Sequence, residues 1–369
     1  MKILILGGTG AMGKPLVGML AKEAALDIKV TSRSAHPSAG NVEYVVGNAR
    51  DNSFLASLLE ARYDSIVDFM NYDLDEFADR IPLLLKNTGH YIWFSSSRVY
   101  AESAIPLTEK SPRLLEVSTD LDFLATNRYA LRKARQEDLL RKSGCNNYTV
   151  IRPYITYNDE RLQLGILEKE QWLYRLLNGK PLVVSKTMLS KKTTLTYGDD
   201  VADVISRIIK RNSPTGEVVQ IAGNETILWD DLLKNVYIPA VKSVVPSPVV
   251  YESDSIKAIE MLYEGGYNTI YDRNYDRSFD SSYIERVVGP IEYTPIREGV
   301  GRCIDRFIKG DRRFLHIDPV YEAYQDILTS SVSSREYFDS DEDYRMYKGY
   351  RRQSLSEIEG LEDIKELII

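Results

Sequence analysis

Three groups of residues in this 369-residue chain have the types and spacing to do chemistry. The first is the glycine run Gly7-Gly-Thr-Gly-Ala-Met-Gly13, which follows the branched apolar stretch Ile3–Leu6 at once. Glycines at 7, 10 and 13 omit the β-carbons that would hold a turn away from a ligand, so backbone N–H groups can approach a pyrophosphate. Pro15 to Lys22 continues with apolar residues at helical spacing, and a helix N-terminus favours negative charge. The second group is Tyr129-Ala-Leu-Arg-Lys133. In a helix, i and i+4 share a face, and an ammonium beside a phenol favours phenolate, which suits general acid/base work. The third is Trp93-Phe-Ser-Ser-Ser-Arg-Val-Tyr100, with three serines at the end of an apolar strand. In open α/β sheets ligands bind at the carboxyl ends of strands, and a hydroxyl there can hold a substrate oxygen.

Each group has a competing reading. Gly8 to Lys14 also fits most of a nucleoside-triphosphate loop, but that pattern needs Ser or Thr next to hold magnesium, and Pro15 stands there. The chain has 25 tyrosines, so a Tyr-x-x-x-Lys match also arises by chance and context must decide. Serines also cap turns with no ligand. Taken together the three groups point to a dinucleotide site, with Gly7, Thr9, Gly10, Ala11, Met12 and Gly13 as the phosphate cradle. Val30-Thr-Ser-Arg-Ser34 bears on which dinucleotide. An acidic residue at the end of the second strand would bind the adenosine ribose hydroxyls, whereas here Arg33 can take a 2′-phosphate bidentately and Ser32 leaves room for it. NADP(H) is therefore expected ahead of NAD(H).

The elements that must position these groups are legible as alternating strands and helices. Strands are expected at Ile3–Leu6, Asp27–Ser32, Val42–Val46, Ser65–Asn71, Tyr91–Ser95 and Tyr148–Pro153, with helices at Asn52–Arg62, Leu74–Lys86 and Leu121–Ser143. That alternation predicts an α/β fold, a doubly wound parallel sheet with a smaller C-terminal substrate lobe. Residues 1–160 form the expected dinucleotide-binding domain, rejoined by about 195–225, with a strand at Gly216–Ala222 after a helix at Asp199–Arg211. Residues 161–194 and 226–332 form the expected lobe, with a helix at Arg161–Leu177. The charged tail, 333–369, holds an acidic block (Glu336–Asp343), a basic block (Arg345–Arg352) and an amphipathic helix candidate, Leu355–Ile369. Charge blocks of this kind are expected to be solvated.

Composition excludes several function classes. The net charge of −7 argues against general attraction to nucleic acid or an anionic membrane. Two cysteines, Cys145 and Cys303, and three histidines offer neither a disulfide framework nor a zinc site, so no metal is expected. No apolar run reaches membrane-spanning length, and a reducing cytoplasm is the expected location.

As a set, Gly7–Gly13, Ser95-Ser-Ser-Arg-Val-Tyr100, Tyr129/Lys133, Arg152-Pro153 and Tyr197-Gly-Asp-Asp-Val-Ala202 resemble the extended short-chain dehydrogenase/reductases, the sugar-nucleotide epimerase/dehydratase family, from Met1 to about Ile327. The resemblance implies Tyr129 as acid/base, Lys133 as its partner and ribose ligand, and Ser96 as the serine that completes the trio. It implies Pro153 and Asn48 near the cofactor, with Asn48 where the family usually has Asp. Ser97, Arg98, Tyr129 and Tyr154 are expected to face the substrate. Ser97 and Arg98 also replace the acidic pair of the dehydratases, and Arg98 replaces the cysteine of one epimerase type, so only the redox trio remains. The expected function is an NADPH-dependent reductase of a keto group on a nucleotide-linked sugar. The alternatives are a nucleotide-sugar 4-epimerase that retains its NAD(P) and a non-catalytic dinucleotide-sensing protein. Family members often pair through the Tyr129 helix, which implies a homodimer, and Arg98, Arg152 and Arg161 are candidate partners for a substrate pyrophosphate.

Overall fold

The computed structural model describes residues 1–253 and 266–352, together with the short strand Ile364–Glu366. Seven strands form one parallel sheet: β1 (Lys2–Leu6), β2 (Asp27–Ser32), β3 (Val42–Val46), β4 (Tyr63–Asp68), β5 (Thr88–Phe94), β6 (Tyr148–Pro153) and β7 (Glu217–Ile221). Their spatial order is β7-β6-β5-β4-β1-β2-β3, so the direction of winding reverses between β1 and β4. That reversal opens a crevice at the carboxyl ends of the two strands, and both the glycine run and the serine run reach it. Strands buried on both faces read as continuous apolar runs, which is why Ile3 to Leu6 are all fully buried.

Helices cover both faces. On one, α1 (Gly13–Leu20) packs Leu16, Val17 and Leu20 with Val201, Val204 and Ile205 of α5 (Gly198–Arg211). On the other, α2 (Asn52–Leu58) and α3 (Leu74–Lys86) place Leu55, Phe77, Ile81 and Leu84 against Leu4, Ile66 and Trp93. Asp51 caps α2 by accepting from the N–H groups of Ser53 and Phe54 at 2.8 and 2.9 Å. Tyr157, Trp172, Trp229, Tyr237, Val250 and Ile304 belong to a separate apolar core formed largely by the elements after β6.

Three expectations are corrected. The segment 121–143 is two helices, Leu121–Leu124 and α4 (Tyr129–Lys142). Thr126 breaks it: its hydroxyl donates to the Phe123 carbonyl at 2.7 Å and accepts from the Arg128 N–H at 3.2 Å, a local turn that competes with the helix. Only Leu173–Leu177 of the expected helix at 161–177 is helical, since Gly165 sits at φ +60° and Leu164 bridges Leu167 in a tight loop. The charged tail is folded between 335 and 351. A helix spans Asp341–Arg351 and buries Tyr347, whose hydroxyl donates to Asp326 at 2.7 Å. Within the expected helix at 355–369, Ile364–Glu366 is a strand paired antiparallel with Val250–Ser253, and the rest lies outside the described residues.

Candidate active site

The glycine run divides its work between packing and openness. Gly7 has φ +72°, a conformation L side chains rarely adopt, and its N–H donates to Thr31 Oγ1 at 3.1 Å. A β-carbon on Gly13 would lie 2.6 Å from the Gly8 carbonyl, and one on Gly8 would lie 2.6 Å from Val30. These two glycines let α1 close onto β1 and β2. Gly10 differs: a β-carbon there would meet no protein atom within 4 Å. The space beside Gly10 is therefore kept free of protein, at the start of a helix, which fits a pyrophosphate. The turn is also braced from afar, as Asn158 donates to the Ala11 carbonyl at 3.1 Å and Gly198 backs closely onto the same oxygen. Neither brace was expected from sequence.

A cleft of about 1130 Å³ opens beside this turn. Met12, Ser96, Arg98, Tyr129, Lys133, Pro153 and Tyr154 all line it, so the structure brings Met12 of the glycine turn and the three residues expected to form the redox trio into one space. Tyr129 is the first helical residue of α4 because of the Thr126 turn. Lys133, one turn on, is almost wholly buried, with Nζ 5.9 Å from the centre of the Tyr129 ring and donating to the Phe94 carbonyl at 2.8 Å. An ammonium has three hydrogens, and that bond uses one. Burial pushes the Lys133 amine down to about 7.

Its acidic neighbour, Asp68 at the end of β4, is fully buried, and burial pushes its carboxyl up to about 6. Asp68 accepts from Tyr91 at 2.8 Å and from the Met70 N–H at 2.9 Å. An acid closing the apolar run Ser65-Ile-Val-Asp68 was the available signal for this residue.

The serines diverge. Ser96 lines the cleft, and its hydroxyl accepts from the Arg98 N–H at 3.2 Å. Ser95 donates to Glu137 at 2.5 Å. Ser97, expected to face the substrate, is fully buried and donates to the Arg152 carbonyl at 3.0 Å, so it ties the loop to β6. Arg152, a candidate pyrophosphate partner, is taken by Glu137 at 2.6 Å. Glu137 also pairs with Arg113 at 3.1 Å, and these two guanidiniums together with the Ser95 bond hold its carboxyl below the usual carboxylate range although burial opposes this. Its place on the same helical face as Lys133 was the signal sequence reasoning passed over. At the far end, Ser32 is buried and accepts from the Ser34 N–H, Arg33 is exposed, and Asn48 is exposed with its side chain accepting from the Arg50 N–H at 3.1 Å.

Sequence reasoning also missed an arginine cluster next to the cleft wall at Arg273, where Asp272 pairs with Arg273 and with Arg277, the latter at 3.1 Å. Arg277 is buried and donates to the Ala101 and Tyr100 carbonyls at 2.8 and 3.0 Å, which fixes the loop after the serines. Tyr154 is buried with its hydroxyl 3.5 Å from Arg273. Ile155 beside it has φ +27°, a strained conformation for a β-branched residue.

No protein-family model matches the chain, and no curated protein is similar to it in sequence at a significant level. Solved structures are similar in fold. UDP-glucuronic acid 4-epimerase from Bacillus cereus, in complex with UDP-glucuronic acid and NAD, superposes with a TM-score of 0.62 at 16% identity, over 84% of this chain and 99% of that one. The Bordetella bronchiseptica enzyme WbmH, in complex with NAD+, gives 0.61 at 18% identity over 84% and 98%. The epimerase Mth375 from Methanothermobacter thermautotrophicus gives 0.63 at 16% identity over 84% and 92%. Two of these three are complexes with NAD and none is described with NADP, so the expectation of NADP(H) drawn from Arg33 finds no support among them. With its glycine turn at the head of a doubly wound parallel sheet, the chain has the α/β fold that these solved structures share.

Proposed function

We propose that this protein is a nucleotide-sugar epimerase that keeps NAD(H) through its catalytic cycle. The observation that carries the reading is the shared cleft: Ser96, Tyr129 and Lys133 line the same space as Met12 of the glycine turn. The similar solved structures, which include a UDP-glucuronic acid 4-epimerase in complex with NAD, support an epimerase over the NADPH-linked reductase expected from Arg33. Arg33 is exposed at the edge of the site and decides nothing alone.

The dinucleotide, when bound, supplies reversible hydride transfer at the sugar carbon. Tyr129 takes the proton of the sugar hydroxyl as the carbonyl forms and returns it after the sugar has turned its other face. Ser96 holds that oxygen through a hydrogen bond. Lys133 directs its remaining N–H groups to the ribose and stabilises phenolate on Tyr129. A homodimer through α4 and a cytoplasmic location belong to the same proposal. Among the described residues no helix is long and apolar enough to cross a membrane.

The test is to denature freshly purified protein and identify the released small molecules by mass spectrometry. Near-stoichiometric NAD(H), with turnover that consumes no added cofactor, is expected. An empty site that takes up and consumes NADPH would overturn the epimerase in favour of the reductase.

A further inference from the structure

The reacting end of the cleft carries more positive charge than its own carboxylates balance. Arg98 extends over the Tyr129 ring, its guanidinium carbon 5.1 Å from the ring centre, and about one fifth of its side chain is exposed into the cleft. Its Nε lies 3.6 Å from Asp272, too far for a hydrogen bond, and has no hydrogen-bond partner among the described residues. Asp272 is already shared by Arg273 and Arg277, so three guanidiniums surround one carboxylate. Arg161, on the same cleft wall, is matched by Glu168 at 3.1 Å and neutralises nothing further.

Burial pushes both Arg98 and Arg273 below the ordinary arginine range, Arg273 to about 10. A buried cation without its counter-ion is costly, and an arginine remains charged regardless. A ligand anion at this point would relieve the cost through charge-assisted hydrogen bonds.

Position narrows the anion. Arg98 stands two residues after Ser96 and stacks on the ring of Tyr129, the two groups that hold and deprotonate the reacting hydroxyl. A negative group meeting Arg98 therefore belongs to the sugar itself, close to the carbon that reacts. Resting on the epimerase reading, we propose that the sugar carries a carboxylate, and that Arg98 selects nucleotide-linked hexuronates over the neutral hexoses. Arg273, which also lines the cleft and is held by Asp272 and the Gly165 carbonyl, competes with Arg98 for the shared carboxylate.

The experiment compares UDP-glucuronate with UDP-glucose on the NAD-loaded protein, by calorimetric binding and by epimer formation. The same comparison on Arg98→Gln and Arg98→Lys follows, with circular dichroism to confirm folding. Wild type is expected to prefer the hexuronate by about 10- to 100-fold in affinity, as a charge-assisted bond predicts. Arg98→Gln should collapse that ratio and Arg98→Lys should restore part of it. If both ligands weaken equally in Arg98→Gln, the arginine serves the diphosphate that they share and the proposal fails. It fails equally if wild type binds the two alike or binds neither. Hexuronate preference in binding with no epimer formed would leave this inference standing and overturn the epimerase reading instead.

Discussion

Tyr129 is the residue on which the proposed chemistry turns, and its neighbours define what its loss should do. Removing the phenol oxygen in Tyr129→Phe leaves the ring under Arg98 and the cradle around Gly10 untouched. Turnover should fall by at least about 10³-fold while dinucleotide affinity, read by fluorescence titration, changes less than about threefold. Retained turnover would remove Tyr129 from the mechanism. Lys133 offers a stability test with a defined sign. Its amine is pushed down to about 7 by burial, so between about 7 and the ordinary lysine range the unfolded chain holds a proton that the folded chain lacks. Raising the pH through that window removes the unfolded chain's advantage. Unfolding free energy of the cofactor-free protein should rise by about 2 kcal/mol from pH 7.5 to 9.5 in urea titrations. Lys133→Met should flatten this slope, and an equal slope in the variant would show that other groups cause it.

At the scale of elements, the glycine turn separates two roles that look identical in sequence. Gly13→Ala places a β-carbon against the Gly8 carbonyl, so α1 must lift from β1, and a loss of about 2 kcal/mol is expected in thermal unfolding. Gly10→Ala meets no protein atom, so stability should change by under about 0.5 kcal/mol while dinucleotide binding weakens at least tenfold. Loss of stability at Gly10 with binding intact would reverse the assignment. The same contrast shows what sequence can reveal. Asp27–Ser32, Val42–Val46 and Tyr148–Pro153 were legible to the residue because each concentrates β-branched and aromatic residues between polar turns. The gap before Tyr129 was not, because it depends on one threonine hydroxyl turning back on its own backbone. Asn158 and Arg273 were hidden for a different reason: each acts on a partner more than one hundred residues away, and no local pattern marks such a residue.

Across the whole molecule, buried ion networks join elements that the apolar cores leave separate. Glu137 gathers Ser95 from the end of β5, Arg152 from β6 and Arg113 from the loop before α4. Its carboxyl is held low by those partners, so it contributes stability above the ordinary glutamate range that is lost as pH falls through its folded value. Glu137→Gln should cost about 3 kcal/mol at pH 7, since the buried Arg152 loses its counter-charge, whereas Arg113 keeps Glu116 and Asp138. The deficit should shrink toward pH 3, as measured by urea unfolding; a constant deficit would mean packing alone is at stake. In the lobe, Asp326 does the same for Arg175, Lys180 and Tyr347, which is how a tail rich in charge comes to be folded rather than solvated.

The bracing of the glycine turn by Asn158 and Gly198 has a consequence for how the protein is born. The turn is made well before the elements that brace it, and α1 lacks its packing partner until α5 has been made some two hundred residues later. A nascent chain ending before Asn158 should hold dinucleotide poorly however much is present. A dinucleotide bound there would then not act as an early template for folding; it would come as a late seal on a turn already braced.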